Sequence, residues 1–164
     1  MTKMQMRRMT IGRIESPPSD VDGGFEIAGM AVPFNKLSHP IEDGVRSFRE
    51  RIQPEALTWD DRTVLLTQHD HRGVPLARIG CGTMSFKNTA EGVRFRATLP
   101  ESRADVREAL DRGDLPGDVS IGFLVEDDRW THAKKGSMRT VVAGHIVELS
   151  LVTAGAYADA HLGM

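Results

Sequence analysis

Apolar residues in this chain recur mainly at every second position, and that period limits the fold more than any other property. Val93, Phe95, Ala97 and Leu99 alternate with Arg94, Arg96 and Thr98, the pattern of a strand with one face in a core and the other in water. Residues 25–34 and 46–52 alternate less strictly, and 9–14, 63–68 and 75–86 read as further strands, the last bent at Gly80 and Gly82. Stretches rich in Gly, Pro, Asn and Asp separate them, at 16–24, 35–44 and 88–92. The turn at 88–92 predicts an antiparallel hairpin between 75–86 and 93–99. Residues 138–143 and 145–153 read as two closing strands after a polar loop over 131–137. One helix is predicted over 102–112, with Ser102 and Asp105 as a capping-box-like start, Val106, Ala109 and Leu110 as its apolar stripe and Gly113 as its stop. Pro54-Glu55-Ala56-Leu57 resembles the first turn of a shorter helix. Many strands and few helices predict a mainly β fold of the α+β kind, a strongly bent antiparallel β-barrel with a few peripheral helices. A chain of 164 residues suits one domain, 1–164, with 1–8 and 158–164 expected as flexible ends.

Charge and cysteine usage narrow the partners. Lys and Arg number 21 against 23 Asp and Glu, a net charge of -2 with no long block of one sign, so nucleic acid is not expected as the principal partner. Cys81 is the only cysteine, which excludes an intramolecular disulfide and a cysteine-built zinc site and suits a reducing cytoplasm. Set in an apolar-alternating stretch, it is expected to pack. No run of signal-peptide or membrane-span length is visible, and a soluble chain without a membrane partner is expected.

The stretch Asp118-Val119-Ser120-Ile121-Gly122-Phe123 follows the turn-rich Gly113-Asp114-Leu115-Pro116-Gly117, so Ser120 is expected where a strand begins at the surface. Ser120, Gly122 and Leu124 then share one face, while Ile121, Phe123 and Val125 anchor the other. Gly122 leaves space beside the hydroxyl for another backbone, such as a substrate. A serine beside a turn is also an ordinary turn residue, so the chain must supply a base and an orienting group. Of His39, His69, His71, His132, His145 and His161, only His69 ends a strongly apolar strand that could hold it rigidly. Glu148 lies within Ile146-Val147-Glu148-Leu149-Ser150-Leu151, where a desolvated carboxylate calls for a partner such as an imidazolium or an arginine. An edge-strand acid with its head in water is the alternative. His69, Asp70 and His71 could chelate a metal, but no third ligand at a telling spacing accompanies the His-x-His pair. No metal and no cofactor is therefore expected.

Five segments resemble, in order, the prohead or capsid-maturation proteases of tailed bacteriophages, a family similar in fold to the herpesvirus assembly protease. They are Ile27-Ala28-Gly29-Met30-Ala31-Val32-Pro33-Phe34-Asn35, Glu50-Arg51-Ile52-Gln53-Pro54-Glu55-Ala56-Leu57, His69-Asp70, the run from Gly113 to Phe123, and Glu148-Leu149-Ser150-Leu151-Val152-Thr153. The resemblance implies Ser120 as nucleophile, His69 as general base and Glu148 as third member, on a bent β-barrel. It departs where the family usually has a proline before its late Ala-Tyr pair, since here Gly155 precedes Ala156-Tyr157. Backbone amides near the loops, or Arg139, are weighed as oxyanion donors.

The implied activity is a serine endopeptidase that cuts scaffold or major capsid protein, and itself, inside the immature shell in the bacterial host cytoplasm. A homodimer is expected by analogy with the herpesvirus relatives. A noncatalytic β-barrel that binds capsid or scaffold chains through edges and loops is the other class. What separates the two is whether His69 lies within hydrogen-bond reach of both Ser120 and Glu148.

Overall fold

The computed structural model describes residues 5–42, 44, 47–134 and 136–153. Their strands are β1 (Gln5–Ile14), β2 (Ser19–Val21), β3 (Gly24–Pro33), β4 (Ile41–Glu42), β5 (Ser47–Ile52), β6 (Leu57–Thr58), β7 (Val64–Thr67), β8 (Ala77–Arg78), β9 (Met84–Asn88), β10 (Gly92–Pro100), β11 (Asp118–Ala133) and β12 (Gly136–Leu151), with one α-helix, α1 (Ala104–Arg112), between β10 and β11. The fold is mainly β. The alternating residues of β3, β10, β11 and β12 meet in one core, where Phe25, Ile27, Leu99, Ile121, Phe123, Ile146 and Leu149 are buried.

Hydrogen bonding runs β4-β5-β12-β11-β1-β3-β10-β9, and among the described residues no pairing joins the two ends of this path. β12 is its spine. One edge pairs with β11 in a long antiparallel hairpin, and the other takes β5, β6 and β7 in succession, all parallel. Register shifts at Gly122/Phe123, Val125/Asp127 and Asp127/Asp128 bend the hairpin without ending it. For that reason the loop expected over 131–137 shrinks to the short connection between Ala133 and Gly136, and the two expected closing strands are one.

Other local expectations change for identifiable reasons. The helix begins as a 3-10 turn over Glu101–Arg103, and Arg103 stands at its N-cap without a side-chain cap. The Asp105 carboxylate pairs with the Arg103 guanidinium instead of closing a capping box. Gly113 ends the helix in the left-handed conformation, its N–H donating to the Ala109 and Leu110 carbonyls. Residues 54–57 form no helix, because Glu55 has φ 60° and Leu57 leaves at once to pair β6 with β12. Residues 75–86 are split: β8 is followed by a 3-10 turn over Ile79–Cys81, which Gly82 closes at φ 79° before β9 begins. Cys81 is thereby exposed on the turn and does not pack. The hairpin of β9 with β10 forms as its turn residues suggest. Residues 5–8, expected in a flexible end, pair with β11 as part of β1. Segment 158–164, Gly155-Ala156-Tyr157 and His161 lie outside the described residues.

Candidate active site

Two neighbouring strands build the floor of the site. Ser120 on β11 stands opposite Ser150 on β12, and Gly122 stands opposite Glu148. Directly opposed residues project to the same face of a sheet, so Glu148 and Ser150 share the face of Ser120. A Cβ on Gly122 would overlap Oε1 of Glu148. The space left by that glycine, expected to admit a substrate backbone, holds this carboxylate. On the other side, β1 bulges: Met9 pairs with Ile121 and Gly12 with Val119, so Thr10 and Ile11 face the single position of Ser120. Bulges of this kind turn a strand locally and re-aim its side chains.

His69 arrives from the opposite edge of β12. β7 runs parallel to residues 148–151 of β12, and the chain then turns back with Gln68 at φ 53° and His69 at φ 57°. The left-handed region is uncommon outside glycine, though less so for His than for branched residues. Gln68 N–H donates to the Leu151 carbonyl at 2.9 Å and Asp70 N–H to Thr67 at 3.0 Å, which hold the turn against β12. The imidazole thus lies over the β11–β12 pair. Its Nε2 is 2.9 Å from Ser120 Oγ, and its Nδ1 makes a short hydrogen bond to Glu148 Oε1.

The site is largely shielded from bulk water. Ser120 is 0 % exposed and Glu148 2 %, while the His69 side chain keeps 11 % of its surface open. The expectation of a surface hydroxyl is therefore corrected, since β12, β1 and the imidazole surround it. A buried carboxylate needs partners for both oxygens, and Glu148 has them: Ser150 Oγ donates to Oε2 at 2.7 Å. The same hydroxyl accepts the backbone N–H of His69 at 3.0 Å. Ser150 and the bulge at Thr10 and Ile11 had no mark in the sequence beyond the position of Ser150 on the face of Glu148.

The other candidates stand elsewhere. Arg139, weighed as an oxyanion donor, lies in the far half of the hairpin opposite Trp130, where Asp128 Oδ2 at 2.7 Å and Glu50 Oε2 at 3.3 Å hold its guanidinium. It does not reach Ser120. Asp70 accepts from the N–H and Nε of Arg72, and those bonds hold its carboxyl below the usual range. His71 is exposed, so the His69-Asp70-His71 run converges on no common point, and among the described residues no group of three His, Cys, Asp or Glu side chains could hold a metal. His145 bonds Thr58 and Asp60, and His132 bonds Ser137. Among the described residues no helix is long and apolar enough to cross a membrane.

A hydroxyl on one ring nitrogen and a carboxylate on the other is the arrangement that makes a serine nucleophilic. No curated protein and no solved structure matches the sequence. Residues 13–163 match the sequence model of the caudovirus prohead serine proteases, and the chain belongs to that family.

Proposed function

We propose that this prohead serine protease works through Ser120 as nucleophile, His69 as general base and then general acid, and Glu148 as the group that orients and charges-balances the imidazole. The observation that carries the reading is the unbroken line from Ser120 Oγ through both ring nitrogens of His69 to Glu148. As Oγ attacks the scissile carbonyl, its proton passes to Nε2 of His69. The imidazolium is stabilised by the carboxylate on Nδ1, and it delivers the proton to the departing amine. Water then repeats the sequence on the acyl-enzyme, with His69 again as base. Because Ser120 has no exposed surface, a peptide carbonyl reaches Oγ only when the groups over it give way.

The substrate proposed is a segment of major capsid or scaffold protein inside the immature shell, with the protease itself as a second target. Co-expression with that capsid protein tests it: the wild type shortens the protein on a gel, and Ser120→Ala leaves it at full length. The variant loses one hydrogen bond in a buried place, about 1 kcal/mol, so it is expected to stay folded. Full processing by Ser120→Ala overturns the assignment.

A further inference from the structure

We propose that Ser150 is a positioning residue for the base: a buried hydroxyl that ties the backbone of His69 to the second oxygen of Glu148. The proposal rests on the roles just given to Ser120, His69 and Glu148. Its observations are separate from theirs. Ser150 is 0 % exposed, its proton goes to Glu148 Oε2, and its lone pair takes the amide N–H of His69. A serine hydroxyl has one proton to donate, and here it is committed to the carboxylate.

The closed ring so formed runs from the His69 backbone through Ser150 to Glu148 and back through the imidazole to His69. Each link restrains a different freedom. The imidazole bond alone holds the carboxylate at one oxygen, and a single hydrogen bond tolerates a tilt of the carboxylate plane that carries the other oxygen away. Ser150 pins that other oxygen. The backbone bonds of the turn, Gln68 to Leu151 and Asp70 to Thr67, hold the chain against β12 but touch neither the carboxylate nor His69's own amide. Ser150 is the group that makes the position of the histidine backbone and the plane of the acid depend on each other. Its seat opposite Ser120 places this link beneath the reacting hydroxyl, where small displacements count. A misplacement of about 1 Å can cost on the order of 10²-fold in rate.

A serine that only fills space and satisfies an amide would affect folding and leave the turnover of each folded molecule unchanged. The test therefore compares Ser150→Ala with Ser150→Cys, which fills the space but is a feeble donor. Turnover is measured per folded molecule on purified capsid protein, and the His69 Nδ1 proton is followed by NMR in the free protein. That resonance is identified as the low-field imidazole signal missing from His69→Asn, a replacement that tolerates the left-handed backbone. Both Ser150 variants are expected to lose roughly ten- to a hundredfold in kcat with KM within about twofold, the uneven split expected for a defect in the chemical step. Their Nδ1 signal moves upfield or broadens. Wild-type kcat and an unchanged Nδ1 signal in either folded variant overturn the role of Ser150. If Ser120→Ala cleaves normally, the site reading itself fails, and the NMR comparison still reports whether Ser150 sets the His69–Glu148 bond.

Discussion

At the residue scale, the carboxylate of Glu148 is bonded through both oxygens and almost sealed from water. On the proposed roles, Glu148→Gln keeps the volume but removes the charge that stabilises imidazolium, and its amide nitrogen can oppose the Nδ1 proton. In an unrelated serine protease the equivalent acid-to-amide change costs about 10⁴ in kcat. Burial of this depth leaves little solvent to compensate, so a loss on the order of 10³ or more is expected in kcat, with the unfolding midpoint near that of the wild type. Gly122→Ala attacks the same carboxylate by volume, because the new Cβ would occupy the place of Oε1. It should depress kcat while β11 remains paired, as circular dichroism will check; an unaltered kcat would mean that Glu148 has somewhere else to go. Ser120, His69 and Glu148, which the structure brings together, stand out as candidates in the sequence because each conflicts with its surroundings: a hydroxyl entering an apolar run, an imidazole ending one, an acid within one. Ser150 raises no such conflict, since a small hydroxyl is tolerated in many strands, and the role proposed for it depends on joining Glu148, two residues away, to His69, which is distant in sequence.

At the scale of elements, β5, β12 and β1 are braced by Glu50, which receives Arg139 at 3.3 Å and Arg7 at 3.5 Å although its side chain is fully buried. Its Oε1 has no hydrogen-bond partner among the described residues. Loss of hydration therefore outweighs the attraction of the two arginines, and the carboxyl is held above the ordinary glutamate range. Raised in the folded state, the group binds its proton more tightly there than in the unfolded chain. Its stabilising contribution is complete below the ordinary glutamate range and is lost as pH climbs through the raised value. Denaturant titrations of wild type and Glu50→Gln over this window should show the wild type losing ground to the variant as pH increases; parallel curves would refute the sign. Period-two patterning and turn residues made most elements legible, including the β9–β10 hairpin. What they could not show was continuity across bulges in β11 and β12, or the parallel additions of β6 and β7, because these are decided by neighbours remote in sequence.

Over the whole molecule, the site has no element of its own: β7 leads to His69, β11 carries Ser120 and β12 carries Glu148, and β12 is also where β5 and β6 attach. Pairings between such distant segments form slowly and together, since loop closure must precede any contact that rewards it. Along a urea titration, cleavage and strand circular dichroism should fall with one midpoint; activity vanishing well before the sheet melts would show that the site opens independently. The place of β12 also sets an order in time. During synthesis the histidine is made first, the serine second and the glutamate last, so a nascent chain already carrying nucleophile and base still lacks the carboxylate that makes them effective. On the proposed roles, the protease is silent while it is being made, and it acquires its cutting power in the same event that completes its sheet.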